Sequence, residues 1–159
     1  MFPRSLRPAA LLWLSACAGA STTTAPLDTD TTFAGPFNVA ITGYDDHAME
    51  PFISRDGRWL LFNNLNDPSV DTNLQLAERV DDLTFRWRGP LAGANSAALD
   101  GVPSMDRAGN LYFVSTRSYE STLSTVYRGR FEGGVVTDVA LVPGISPRVF
   151  GILNFDVDI

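Results

Sequence analysis

Short apolar runs separated by turn-forming residues extend along most of the chain, and few of them show a helical period. Several runs alternate apolar and polar residues, which is the period of two expected of a half-buried strand. Gly, Asn, Asp and Pro stand between the runs and favour turns. The pattern predicts an all-β fold, with candidate strands at 37–42, 58–63, 73–80, 83–89, 110–115, 124–131, 135–142 and 155–159.

One stretch of the chain is repeated. The segment EPFISRDGRWLLFNN begins at Glu50 and aligns with VPSMDRAGNLYFVS, which begins 52 residues later at Val102. After a deletion of one residue, the alignment continues downstream and pairs Leu76 with Tyr127. The segment FDVDI at 155–159 resembles the start of a third copy. We therefore expect repeated units that begin near residues 50, 102 and 155.

Each unit is predicted to hold about four short strands: one before the tight turn, one after it, and two more. A single sheet of this kind cannot bury both of its faces, so neighbouring units must stack. Antiparallel four-stranded units of roughly 40 to 50 residues are typical of β-propeller blades. We therefore expect a partial β-propeller of four-stranded antiparallel blades, with about two to two and a half blades present.

The number of units bears on the completeness of the fold. A closed propeller needs about four to eight blades, and the sequence ends within a predicted strand. We therefore expect the sequence to be truncated at its C-terminus. The alternative is that several chains associate to complete one propeller.

The tight turn of each unit contains residues that form turns. Gly57 and Gly109 supply the positive φ that a tight turn needs, and Asp56 can accept a backbone N–H there. The second copy has Asp106 in the serine position of the first and Ala108 in the position of Asp56. We predict a structural role, rather than a catalytic one, for Asp56, Gly57 and Gly109.

These residues carry a family resemblance. The two segments that start at Glu50 and Val102 resemble the Pro-x-x-Ser-x-Asp-Gly-x-x-apolar-x-Phe-x-Ser motif of TolB-type, WD40-like β-propeller repeats, over residues 37–159. The resemblance implies a scaffold for protein interaction or ligand binding. TolB-type repeats also precede catalytic domains in some peptidases. The resemblance therefore leaves open an alternative, the propeller portion of a secreted enzyme whose catalytic part is missing here.

The N-terminus has the layout of a secretory signal. Two arginines precede a short apolar run at 9–14 and a group of small residues. The only cysteine, Cys17, follows Leu14-Ser15-Ala16, which resembles the bacterial lipobox. That resemblance implies cleavage before Cys17 and lipidation of its thiol, which would anchor the protein to a membrane. The alternative is an ordinary signal peptide that is discarded together with its cysteine.

These features predict three regions along the chain. Residues 1–16 form a lipoprotein signal peptide, and residues 17–36, which are rich in Thr, Ala, Pro and Asp, form a flexible tether. Residues 37–159 form the propeller repeats. We therefore expect a lipoprotein of the bacterial cell envelope, either periplasmic or in the outer membrane.

Composition and charge exclude several classes of function. The formal net charge is −6, and the twelve basic residues are all arginines scattered along the chain. Nucleic-acid binding needs a concentrated basic patch, so we expect no nucleic-acid partner. The absence of lysine also removes Schiff-base chemistry and the phosphate-binding Gly-Lys-Ser/Thr loop.

No residue set in the sequence specifies a reaction. The only histidine, His47, lies beside Asp46 and Glu50, but this group lacks the ligand count and spacing of a metal site. We predict neither a metal nor a cofactor, and binding is favoured over catalysis. The predicted fold places His47 and several acids near the mouth of the propeller channel, where the acids would attract a basic peptide or protein segment; the residues are Asp46, His47, Glu50, Asp100, Asp106, Asp156 and Asp158.

Overall fold

A computed structural model describes residues 35–67, 69 and 71–159. Cys17 and the predicted signal peptide lie outside these residues. The described part of the chain forms nine β-strands and one short helix. The prediction of an all-β fold is therefore confirmed. No helix of the described residues is long and apolar enough to cross a bilayer.

The strands form two sheets, one of them strongly curled. Sheet A contains β1 (Ala40–Thr42), β2 (Met49–Ile53), β3 (Trp59–Asn63), β4 (Leu74–Arg79) and β5 (Thr84–Pro90), in the order β1-β5-β4-β3-β2. Sheet B contains β6 (Asp100–Met105), β7 (Asn110–Ser115), β8 (Val126–Glu132) and β9 (Val135–Leu141), in the order β6-β7-β8-β9. A four-residue helix, α1 (Tyr119–Thr122), connects β7 to β8.

The ladders of the two sheets correspond to each other. Strands β2 to β5 and strands β6 to β9 each form an antiparallel meander. The β2–β3 ladder shifts register between Met49 and Phe52, and the β6–β7 ladder shifts between Gly101 and Ser104. These positions are 52 residues apart in the sequence. The separation matches that of the two sequence copies.

The ladders correct the sequence alignment beyond β3. Leu61 lies opposite Leu76 in sheet A, and Tyr112 lies opposite Arg128 in sheet B. Leu76 therefore corresponds to Arg128, and its alignment with Tyr127 is wrong by one residue. A shift of one residue moves a side chain to the other face of the sheet. Tyr127 accordingly faces sheet A, whereas Arg128 is exposed.

The main core lies between the two sheets. An apolar face of sheet A packs against an apolar face of sheet B, and each buried Leu or Phe side chain contributes about 1.5–3 kcal/mol. Neither sheet could bury this surface alone. The core contains Trp59, Leu61, Leu74 and Leu76 from sheet A, Leu111, Phe113, Tyr127, Phe131 and Val136 from sheet B, and Leu91 and Ala94 from their connection.

A second apolar cluster covers the other face of sheet A. It contains Leu60, Phe62, Ala77 and Phe85. The ring of Tyr44, from the β1–β2 loop, packs edge-on against Phe62 with the ring centroids 5.0 Å apart. Strand β3 is therefore buried on both faces, and the loop that holds Tyr44 is fixed against the sheet.

Each sheet has a parallel contact at its last strand. Ala40 pairs with Thr84 in the parallel β1–β5 ladder, and Ala92, 52 residues later, forms a parallel bridge with Val135 in β9. Gly93 follows this bridge with φ +81°, and a Cβ atom there would lie 1.9 Å from the Val136 carbonyl oxygen. Only glycine permits this close approach between the β5–β6 connection and sheet B.

The predicted strand at 155–159 is wrong, because these residues have no regular structure. A strand needs a ladder of backbone hydrogen bonds. The Ile159 N–H instead donates to the Ser104 hydroxyl at 3.2 Å. Asn154 is likewise held by a side chain, since its N–H donates to the Thr125 hydroxyl oxygen at 3.2 Å. The segment therefore lies beside β6 without joining sheet B.

Candidate functional site

The starts of the two sequence copies and residues 155–158 meet at one cleft of about 400 Å³, which we call the inner cleft. The cleft brings together three of the acids singled out in the sequence, Glu50, Asp156 and Asp158. Apolar side chains surround them. The lining residues are Glu50, Pro51, Phe52, Val102, Pro103, Ser104, Phe155, Asp156, Val157 and Asp158.

Glu50 and Val102 share an unusual backbone conformation at this cleft. Their φ angles are +49° and +54°, and each residue precedes a proline. Both lie where the ladder with the following strand shifts register. Such bulges often redirect a side chain at the edge of a binding site. The same bulge with a positive φ therefore occurs in both sheets, with the carboxylate of Glu50 in sheet A and the isopropyl group of Val102 in sheet B.

The carboxylate of Glu50 is only half satisfied. Its Oε1 accepts a hydrogen bond from Asn66 Nδ2 at 2.8 Å. Its Oε2 is buried and has no hydrogen-bond partner among the described residues. A buried acceptor without a donor costs about 1–3 kcal/mol, and more when it is charged. Glu50, at the inner cleft, therefore keeps one carboxylate oxygen that is shielded from solvent and has no donor among the described residues.

Asp156 and Asp158 supply the exposed charges of the inner cleft. They alternate with Phe155 and Val157, and all four residues line the cleft. Phe155 is 62% exposed, which leaves an apolar surface beside the carboxylates. This arrangement suits a ligand that combines a cationic head with an apolar stem, as Arg and Lys side chains do.

Asp46 and His47 lie in the exposed β1–β2 loop and do not line the inner cleft. Their contacts are local: the His47 N–H donates to Asp46 Oδ1 at 2.7 Å, and the Tyr44 hydroxyl donates to the His47 carbonyl at 2.8 Å. Burial, and secondarily the charge of Asp46, raises the pKa of Tyr44. These contacts stabilise the loop that covers sheet A.

Asp100 and Asp106 also lie away from the inner cleft. Asp100 is fully buried, and its Oδ1 accepts a hydrogen bond from Arg117 Nη2 at 2.6 Å. Asp106 follows β6 and belongs to the turn between β6 and β7. Their carboxylates are therefore engaged within the fold.

The first turn depends on Ser54 and Asp56. Asp56 Oδ1 accepts hydrogen bonds from the Ser54 hydroxyl at 2.6 Å and the Arg58 N–H at 3.0 Å. The Ser54 hydroxyl oxygen in turn accepts from the Trp59 N–H at 2.9 Å. The Ser54 hydroxyl, and next the Arg58 N–H, lower the pKa of Asp56. Gly57 completes the turn with φ +71°.

The second turn is one residue shorter, since Asp106 pairs with Asn110 where Ser54 pairs with Trp59, and Asp106 replaces the serine. Its Oδ1 accepts from the N–H groups of Ala108 and Asn110, at 2.8 and 2.9 Å. The side-chain amide of Asn110, and then its N–H, lower the pKa of Asp106. Gly109 has φ +81°. One aspartate therefore performs the work that Ser54 and Asp56 share in the first turn.

The sequence alignment pairs Arg79 with Arg130 but does not predict that both side chains reach the turns. Arg79 Nε donates to the Gly57 carbonyl at 2.5 Å, and Arg130 Nη1 donates to the Ala108 carbonyl. The ladders correct this pairing as well, because Glu78 lies opposite Trp59 and Arg130 lies opposite the equivalent residue, Asn110. The two arginines therefore reach neighbouring turn carbonyls from positions that are not equivalent.

The described residues contain no group of three His, Cys, Asp or Glu side chains placed to hold a metal ion. A scan against protein-family models, a search of curated proteins and a search of solved structures find no match to this chain. Functional conclusions therefore depend on the geometry of the inner cleft and on the repeated motif.

Proposed function

We propose that the chain forms two blades and the beginning of a third blade of a TolB-type β-propeller, which acts as a binding scaffold in the bacterial cell envelope. Two observations support the architecture. The two antiparallel meanders stack through a shared core, and strands β2 and β6 line the same cleft as residues 155–158. Blades of a propeller surround a central channel in this way.

The inner cleft is the binding site in this proposal, and its ligand is a basic peptide or protein segment. The convergence of Glu50, Asp156 and Asp158 on one cleft is the observation that carries the proposal. A guanidinium or ammonium group entering the cleft would meet three carboxylates. Phe52 and Phe155 provide apolar surface for the stem of the side chain.

Binding of a fluorescein-labelled hexa-arginine peptide, followed by fluorescence anisotropy, tests this proposal. We expect the affinity to fall as salt rises from about 50 mM to about 500 mM, because exposed charges become screened. The Glu50→Gln variant should bind about ten-fold more weakly. Asp46→Asn, which removes the same charge from a loop outside the cleft, should bind as the parent chain does. Salt-independent binding, or equal loss in both variants, would overturn the proposal.

The envelope location depends on the N-terminal segment. Leu14-Ser15-Ala16-Cys17 resembles a lipobox, and acyl chains on Cys17 would hold the protein at a membrane with about 0.8 kcal/mol for each buried CH₂ group. The folded repeats would then stand at the end of the tether at 17–36. The inner cleft would meet partners that share the periplasm or the membrane surface.

A further inference from the structure

A second cavity lies on sheet B, over strands β7 to β9, and we call it the sheet B pocket. It has a volume of about 320 Å³, at the lower end of the range for ligand sites. None of its lining residues belongs to the inner cleft. It is therefore separate from the site at which the basic segment is proposed to bind. The lining residues are Tyr112, Arg128, Ala140, Leu141, Val142 and Pro143.

Three neighbouring side chains of this pocket come from three different strands. Tyr112 lies opposite Arg128, and Arg128 lies opposite Ala140. Residues that face each other across a ladder project from the same side of a sheet. Leu111 and Phe113, on either side of Tyr112, belong to the core shared with sheet A. Because successive side chains alternate between faces, the pocket lies on the face of sheet B that points away from sheet A.

The equivalent positions of sheet A have different side chains. Leu61 and Leu76, which correspond to Tyr112 and Arg128, are buried in the core between the sheets. A face that packs against another sheet therefore has two leucines at these positions. The outer face of sheet B has a phenol and a guanidinium there instead. The stacking of the two sheets does not require these polar groups.

The sheet B pocket has a net positive charge, because Arg128 is the one charged residue of its lining. Arg128 is exposed and forms no ion pair with any of the described residues. The acid of strand β9, Asp138, does not line the pocket, and its Oδ2 accepts a hydrogen bond from the Thr137 hydroxyl at 3.3 Å. A guanidinium binds a carboxylate through two parallel hydrogen bonds. A carboxylate is therefore the ligand group that Arg128 fits best.

The rest of the lining is mostly apolar and open to solvent. Ala140 and Pro143 are exposed, and Tyr112 is half-buried. A cavity of about 150 Å³ can hold benzene, so this pocket has room for a ring with a short acidic arm. We propose that the sheet B pocket binds a small monocarboxylate with an apolar body, the carboxylate on Arg128 and the body against Tyr112, Ala140 and Pro143.

Titration of the full chain with phenylacetate, followed by NMR amide chemical shifts, tests this inference. We expect saturable shifts at Tyr112, Arg128 and Ala140. Arg128→Gln should weaken binding by about ten-fold, as for a hydrogen bond to a charged group. Arg86→Gln removes an exposed arginine of β5 that does not line the pocket, and it should have no effect.

Two further arms separate the carboxylate from the apolar body. Phenylacetamide, a neutral molecule of nearly the same shape, should bind about ten-fold more weakly than phenylacetate. Ala140→Leu keeps the charge of Arg128 but fills the pocket, so it should abolish the shifts; Ala140 is exposed, and the substitution should not disturb the core.

Three outcomes would overturn the inference. The first is the absence of phenylacetate-induced shifts at the pocket, and the second is equal binding of phenylacetamide. The third is unchanged affinity in the Arg128→Gln variant. Circular dichroism of each variant establishes that lost binding does not reflect lost structure. None of these outcomes bears on the inner cleft, whose acids would repel phenylacetate.

Discussion

The Asp100→Asn substitution should strongly destabilise the fold, because it removes the anion of a buried ion pair. Asp100 is 0% exposed, and its Oδ1 lies 2.6 Å from Arg117 Nη2. Its Oδ2 accepts from the N–H and hydroxyl groups of Ser96, at 2.5 and 2.8 Å. Arg117 also donates to the Ala94 carbonyl and lies 4.9 Å above the Tyr127 ring. The pair thus joins the β5–β6 connection to both ends of the β6–β7 hairpin.

The expected loss of stability follows from the interactions that asparagine retains at position 100 and those that it removes. Breaking a buried ion pair by removing one partner costs about 3–5 kcal/mol. Asparagine retains the size of the side chain, and Arg117, with 22% of its side chain exposed, keeps contact with water and with Ala94. We therefore expect a loss of about 2–3 kcal/mol in the free energy of unfolding. Domains of this size have about 5–15 kcal/mol in total, so the variant should still fold.

Urea unfolding followed by tryptophan fluorescence measures this loss, because Trp59 lies in the shared core. Glu78→Gln is the matched control. Glu78 also forms ion pairs with two arginines, Arg58 and Arg88, but these pairs lie at the surface. Glu78→Gln should therefore lower the free energy of unfolding much less than Asp100→Asn does. A decrease for Asp100→Asn no larger than that for Glu78→Gln would refute the reasoning.

Three further predictions concern the turns, the sheet contact and the anchor. The pKa of Asp106 in the folded protein lies below its ordinary value of 3.8. The stability that the ionised carboxylate contributes is therefore complete above pH 3.8 and is lost as pH falls through the folded pKa. Below about pH 4, the urea midpoint of Asp106→Asn should change less with pH than that of the parent chain. Gly93→Ala should lower stability by about 2–4 kcal/mol in urea unfolding, because its Cβ would meet Val136. Gly43→Ala, with equal φ and open space, should cost only about 1 kcal/mol. Cys17→Ala should release the protein from the membrane fraction of expressing cells, and unchanged sedimentation with membranes would contradict lipidation.

The local sequence pattern was sufficient to predict those strands and turns that depend on neighbouring residues alone. The predicted strand at 110–115 coincides with β7, and the turn at Gly57 follows from the need for positive φ. The strand predicted at 155–159 is irregular because an extended segment becomes a strand only when a neighbour supplies its ladder. The error between Leu76 and Tyr127 has a related cause: the alignment does not show that the residue deleted in the second turn is regained in the longer connection between β7 and β8.

The candidate site was predictable only through the repeat. Glu50 and Asp156 were expected to lie together because Glu50 starts a copy and the segment of Asp156 resembles the start of another. The position of Asp100 relative to that start suggested the same place, but its carboxylate pairs with Arg117 inside the fold. Sequence proximity also failed for Asp46, since the β1–β2 loop packs over the opposite face of sheet A through Tyr44. Contacts with residues that are distant in the sequence therefore determine where these two acidic side chains lie.

The two copies also act as internal controls for function. Where architecture requires a residue type, both copies have it, as at Pro51 and Pro103. Glu50 is not repeated in this way, because the equivalent residue, Val102, adopts the same positive φ and the same bulge without a carboxylate. The charge of Glu50 is therefore not needed to build the strand, although it leaves a buried oxygen unpaired.

Arg55 and Arg107 present the converse case. Both copies have an arginine at this position, yet the two side chains make none of the turn contacts that Arg79 and Arg130 make in the described residues. Each of these arginines has a carboxylate beside it in the same turn, since Asp56 follows Arg55 and Asp106 precedes Arg107. The inner cleft, where Asp156 and Asp158 are exposed and Glu50 has an unpaired carboxylate oxygen, is consequently the place where binding should be sought first.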